Sequence, residues 1–208
     1  ASRQLDEHAT HLFNALQAGA AVGDDSELSL LRFLIAGKDN QASPLLSASC
    51  LAQIVESVSA SLTRFLDGHS LAAGAALEAD AEQLTSLKDV LALVRSMASA
   101  RLPAGLQRSR ASLLGNTVFR LHLLAQLSPP SADAAAAYAD VNSTALASLS
   151  AFATSRLREE EPETAAAFRA YLVSSLHEAV LHAAPTSIAG MATAVRVPGG
   201  ACACHAAK

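Results

Sequence analysis

Apolar residues recur at helical spacing along most of the chain, and glycine and proline interrupt the recurrence. In the clearest stretch the intervals between apolar residues are four, three, four and three: Leu51, Val55, Val58, Leu62 and Phe65. Residues spaced in this way share one face of an α-helix, whereas a half-buried strand alternates with period two. No set of segments shows that alternation. The sequence therefore predicts an all-α protein.

Glycine and proline divide the chain into about seven expected helices, six of which begin near residues 25, 44, 78, 106, 131 and 162. Each carries an inner apolar stripe. The stripes of the first, fourth and sixth helices are Leu5, Ala9, Leu12, Phe13 and Leu16, then Leu84, Leu87, Leu91, Val94 and Ala98, then Tyr138, Val141, Ala145, Leu149 and Phe152. Short links between long helices favour antiparallel neighbours. We expect an irregular antiparallel helical bundle or a short stack of helical hairpins, the latter loosely similar to HEAT or armadillo arrays in periodicity alone.

Two helices carry more specific expectations. The second is apolar on every side over residues 28–35, which predicts a buried helix that Gly37 ends. The third has Ser43 where an N-cap is favoured and Pro44 where the first helical residue would be. We therefore expect the third helix to begin at Pro44 and to end at Gly68.

The helices are expected to form a single domain over residues 1–197. The sequence Ser-Pro-Pro-Ser at residues 128–131 is the strongest interruption and marks a candidate boundary between two sub-bundles. Residues 198–208 contain glycine and alanine and form a tail that we expect to be flexible or bound to a partner.

Charged residues are scarce. They make up 16% of the chain, against roughly 25% in a typical soluble domain. One explanation is compositional drift toward alanine. The other is that partner subunits cover part of the surface, because charged residues are depleted at the core of interfaces.

The charge balance and the hydropathy also exclude partner classes. The net charge is −4 and only 4% of residues are aromatic, so we expect no nucleic-acid partner. Arg101, Arg108 and Arg110 form the one local basic cluster and are expected to be a solvated helix end. The longest uncharged run near the C-terminus, residues 179–195, covers 17 residues, fewer than the 20 or so that a membrane-spanning helix needs. No transmembrane segment is expected.

The sequence Gly68-His69-Ser70 resembles the start of the sharp turn that presents the nucleophilic serine of lipases and acyltransferases. That turn requires a strand before the serine and a second glycine two residues after it. Here Ala72 occupies the second glycine position, and residues 51–66 have helical spacing. We therefore interpret Gly68 as a helix end and Ser70 as a cap or turn residue.

Neither pair of closely spaced histidines forms a convincing metal site. His177 and His182 are five residues apart, about 140° around a helix, whereas zinc-protease histidines are four apart; Leu181 occupies the position of the second ligand. His8 and His11 can share a helix face, but no third ligand is evident. We expect His8 and His11 to be solvated, and His177 and His182 do not form the zinc-protease motif.

Three cysteines do not make a disulfide framework. Cys50 is expected to be a small buried residue, which favours a reducing intracellular compartment: the cytoplasm or an organelle interior such as the mitochondrion. Cys202, Cys204 and His205 are metal-binding residue types, yet three ligands within four residues cannot easily close a tetrahedral site. Whether they bind metal stays open, and a mobile or partner-bound tail is the favoured interpretation.

No catalytic residues, metal ligands or cofactor are assigned. The sequence favours a non-catalytic structural or scaffold subunit of a larger protein assembly, whose partners are other protein subunits that dock on helix faces. The alternative is a helical bundle that holds an apolar ligand or cofactor in its interior, where small residues leave room between helices.

Overall fold

The computed structural model describes residues 2–17, 25–37, 44–68, 81–127, 134–157 and 159–182. Within these ranges the chain forms seven helices and no strand, which confirms the all-α prediction. The helices are α1 (Ser2–Gln17), α2 (Asp25–Ala36), α3 (Ala48–Gly68), α4 (Ala81–Ser99), α5 (residues 104–127), α6 (Ala135–Ser155) and α7 (Pro162–His182). The link at residues 128–131 and the tail at 198–208 lie outside the described residues, so the domain assignment stays a prediction.

Helix α5 is not α-helical throughout. A π-helical segment, Leu113–Val118, lies between α-helical Ala104–Ser112 and Phe119–Leu127. At its end the N–H of Phe119 donates to the carbonyl of Leu114, five residues back. A π segment inserts one extra residue into the helix and changes which side chains face each neighbour.

Alternate helices pack against each other in two rows, α2–α4–α6 and α3–α5–α7. Contacts between α4 and α6 advance along both helices, from the Lys88–Asp140 ion pair to the bond between Arg156 and the carbonyl of Ser99. Helices α4 and α6 therefore run in the same direction. The fold is an irregular helical bundle, as expected, in which each row is made of every second helix.

The two rows are joined mainly where α5 contacts α6. The hydroxyl of Tyr138 on α6 donates to the carbonyl of Leu124 at 3.2 Å. His122 precedes Leu124 on α5, and Asn142 follows Tyr138 on α6. His122 Nδ1 lies 2.6 Å from Asn142 Oδ1. Because residue numbers rise on one helix as they fall on the other, α5 and α6 are antiparallel, as expected of sequence neighbours.

The expected inner stripes form the core. All five stripe residues of α4 and all five of α6 are buried. Helix α1 contributes Ala9, Leu12 and Phe13, whereas Leu5 is 36% exposed. Cys50 is also buried, against the hydroxyl of Thr10, and this burial raises the pKa of its thiol. The helical spacing thus identified most of the core.

The expectation that α2 is buried on every side is wrong. Leu31, Leu34 and Ile35 are buried, but Leu30 and Phe33 are 39% and 43% exposed. Helix α2 packs on α4 and α1, which cover one side of it. Its end is as expected: Gly37 has a φ of 72° and donates to the carbonyl of Phe33 at 2.8 Å, an αL cap that glycine adopts without strain.

Helix α3 begins at Ala48, later than the expected start at Pro44, and Ser43 lies outside the described residues. Ser47 acts as the N-cap, because its Oγ accepts a hydrogen bond from the N–H of Cys50 at 3.2 Å. The N–H of Ser47 donates to Oδ1 of Asp6 on α1 at 2.9 Å. The Ser47 hydroxyl and N–H both lower the pKa of Asp6 by hydrogen bonding to it. The position of the cap is therefore fixed by a contact with α1, a helix that is distant in the sequence.

Replacing Ser47 with alanine is expected to lower the free energy of unfolding by about 1 kcal/mol, because the N–H of Cys50 loses its acceptor. Urea unfolding followed by circular dichroism measures the change. Ser49 provides the control: it is an exposed serine whose hydroxyl lies 3.0 Å from that of Ser47 but accepts no backbone N–H from the described part of the chain, so Ser49→Ala is expected to change stability by less than about 0.5 kcal/mol. Equal effects of the two substitutions would contradict the assignment of the cap.

Candidate functional site

A buried arginine cluster lies at the end of the bundle where α4 and α6 stop and α5 and α7 begin. The guanidinium of Arg110 on α5 is 1% exposed. Its Nη1 donates to the carbonyls of Met97 and Ala100, at 3.0 and 2.5 Å. The last carbonyls of a helix have no partner within the helix and carry its negative dipole end. Arg110 therefore caps the C-terminus of α4.

A second arginine completes this cap. Arg156 follows α6, and its Nε donates to the carbonyl of Ser99 at 2.6 Å. Its Nη1 donates to Oε2 of Glu159 at 2.6 Å. Arg156 thus ties the connection between α6 and α7 to the end of α4.

Glu160 supplies the counterion for Arg110. Nη2 of Arg110 donates to Oε1 of Glu160, and both side chains are almost fully buried. The Arg110 guanidinium also lies over the ring of Phe152, 5.1 Å from its centroid, a favourable cation–π distance. Burial raises the pKa of Glu160 and lowers that of Arg110, while their mutual attraction opposes both shifts.

Next to this pair lies a cavity of about 210 Å³. Its lining includes Arg101, Leu102, Gln107, Arg110, Arg156, Glu159 and Glu160. Three buried atoms of lining residues have no hydrogen-bond partner: Gln107 Oε1, Arg110 Nε and Glu160 Oε2. These atoms are sealed from contact with a water-sized molecule. Arg110 and Arg156 bind carbonyls at the end of α4 and the carboxylates of Glu160 and Glu159, so the cluster ties the end of α4 to α5 and to the connection between α6 and α7.

The expectation that Arg101, Arg108 and Arg110 form a solvated helix end holds for the first two residues and is wrong for the third. Arg101 has a 62% exposed side chain, and Arg108 is exposed. Arg110 is buried because Glu160, fifty residues away in the chain, neutralises it. Sequence reasoning missed this pair because no local feature marks either residue as buried.

Replacing Glu160 with glutamine is expected to change how stability depends on pH. Because burial raises the pKa of Glu160, the folded state holds its proton more tightly than the unfolded state. Stability from this group is therefore present below its unfolded pKa and is lost as the pH rises through its folded pKa. The free energy of unfolding of the unmodified protein minus that of Glu160→Gln should fall as the pH rises above the ordinary pKa of a glutamate. Urea titrations of both proteins measure it, and a difference that rises with pH would contradict the prediction.

The outward side of α7 carries several exposed apolar residues. Six exposed residues on this side define what we call the outer face of α7: Ala166, Ala170, Val173, His177, Val180 and Leu181. The exposed Glu163 precedes this face and the exposed Arg169 borders it. Val173 and Leu181 are 62% and 68% exposed. Single exposed leucines are common, whereas several exposed apolar residues on one side of a helix are typical of an interaction surface. In the sequence, the spacing of Val173 and Val180 is the signal that could have indicated these exposed apolar residues.

The opposite side of α7 holds the helix in the bundle. Phe168 and Ala179 are buried, and Phe168 packs edge-on against Phe152 with centroids 4.9 Å apart. Ser175 donates to the carbonyl of Gly115 in the π segment at 3.0 Å. Glu178 forms a 3.3 Å ion pair with Arg120. The outer face is therefore presented by a helix that α5 and α6 fix in place.

A second exposed apolar feature lies on α2. Leu30 and Phe33 are one helical turn apart and form what we call the α2 patch. The backbone N–H of Leu45, itself 45% exposed, donates to the carbonyl of Leu34 beside the patch. Aromatic side chains are enriched at the centres of protein interfaces.

The residues considered from the sequence fall into two groups. His8, His11 and His177 are exposed. His69, Ser70, Cys202, Cys204 and His205 lie outside the described residues, and so does the side chain of His182. Gly68 ends α3, so the element before it is a helix, as predicted, and the strand that a nucleophile turn requires does not precede it. Among the described side chains, no group of three or more His, Cys, Asp or Glu residues is arranged to hold a metal ion.

No family model, curated protein or solved structure matches this chain. None of the helices in the described part of the chain combines the length and the apolar character needed to cross a bilayer.

Proposed function

We propose that this protein is a non-catalytic scaffold subunit of a larger protein assembly and that partner subunits dock on its exposed helix faces. The observation that carries the proposal is the outer face of α7, where Val173, Val180 and Leu181 are exposed on one side of the helix. The α2 patch offers a second contact surface. The scarcity of charge in the whole chain is in keeping with this role.

The outer face of α7 has enough apolar surface to contribute to affinity. Val173, Val180 and Leu181 are between 39% and 68% exposed. Burying three such partly exposed side chains in an interface would stabilise a complex by on the order of 3 kcal/mol, roughly a hundredfold in affinity. A partner helix can lie along this face, because its residues recur at the spacing that helix pairs use.

Replacing Val173 with glutamate is expected to release the protein from its assembly, because a carboxylate that must lose its water would lie in the middle of the apolar contact. The tagged chain at native abundance, in extract of its own cells, should migrate well above its own mass of 21.3 kDa on size-exclusion chromatography. Val173→Glu should shift it toward the monomer position. Circular dichroism of the purified proteins checks that both remain folded.

The control places the same acidic side chain on a different helix. Gln53 is exposed on α3, a helix that contributes no residue to either apolar surface, and Gln53→Glu should leave the elution position unchanged. Migration of the unmodified chain as a monomer in native extract would overturn the proposal. So would an equal shift caused by Val173→Glu and Gln53→Glu.

The alternative function, a bundle that holds an apolar ligand, makes a different prediction about the purified protein. Native mass spectrometry would then detect a small molecule in stoichiometric amount. The groove of about 890 Å³ between α3 and α5 does not favour it, because Glu56, Arg64 and Asp67 are among its lining residues. The cavity beside Arg110 is lined largely by charged side chains. We therefore retain docking as the primary proposal.

A further inference from the structure

We draw no further inference here: the strongest candidate, the cavity of about 210 Å³ between the α4–α5 and α6–α7 connections, belongs to the buried arginine cluster already described, and its unpartnered polar atoms are sealed from any molecule that would enter it.

Discussion

Replacing Arg110 with methionine is expected to lower the free energy of unfolding by about 4 kcal/mol, because it leaves the carboxylate of Glu160 buried without a counterion. The same change removes the donor for the carbonyls of Met97 and Ala100 at the end of α4. It also removes the cation that lies over the ring of Phe152. Buried polar groups that lose their partners are costly, whereas the methionine side chain keeps most of the arginine stem's volume.

Urea unfolding at neutral pH measures this effect, and a thermal scan should show a decrease in melting temperature of about 10 °C. The matched control is Arg101→Met in the same cluster. Arg101 is 62% exposed and lies 3.7 Å from Glu159, so its loss should cost less than about 1 kcal/mol. If both substitutions cost the same, the buried pair does not hold the helix ends together as described.

The double variant Arg110→Met with Glu160→Leu separates two causes of the loss. Removing both charges eliminates the desolvation penalty that raises the pKa of Glu160 and lowers that of Arg110. Buried ion pairs replaced by apolar residues are often neutral or stabilising. We therefore expect the double variant to recover most of the stability that Arg110→Met loses. A double variant as unstable as the single one would show that capping the α4 carbonyls is the dominant contribution.

The helices and their inner faces could be predicted because they depend on local spacing. The stripe on α6, from Tyr138 to Phe152, is buried at every expected position. The start of α3 could not be placed in the same way. Ser43 and Ser47 are both serines, a residue type favoured at the N-cap. Ser47 takes that position because its N–H binds Asp6, which is distant in the sequence.

The candidate site was harder to predict because it depends on pairings between distant residues. The sequence near Arg110 contains two other arginines, and nothing there distinguishes the buried one from Arg101. The burial of Arg110 follows from Glu160 in a connection that only the folded bundle brings near. The exposure of Phe33 likewise depends on which sides of α2 the neighbouring helices cover. Periodicity shows that a side is apolar, but it does not show whether another helix covers that side.

The contact between α5 and α7 is close enough that a single methyl group should disrupt it. A Cβ added at Gly115 would lie 2.7 Å from Cβ of Tyr171 and 3.2 Å from the carbonyl oxygen of Phe168. Neither atom is the end of a flexible side chain, so relief requires the two helices to move apart. Such movement would also lengthen the 3.0 Å bond from Ser175 to the carbonyl of Gly115. The absence of a side chain at Gly115 is what permits this approach.

Gly115→Ala is therefore expected to lower the free energy of unfolding by about 3 kcal/mol, at the upper end of the cost of overpacking a core. Gly105 provides a control in the same helix, because nothing lies within 4 Å of a Cβ added there. Alanine is a better helix former than glycine, so Gly105→Ala should be neutral or should stabilise the protein by up to about 1 kcal/mol. Urea unfolding of the two variants thus tests whether the same substitution lowers the free energy of unfolding at residue 115 but not at residue 105. A stabilising Gly115→Ala would mean that α5 and α7 do not approach each other closely at the π segment.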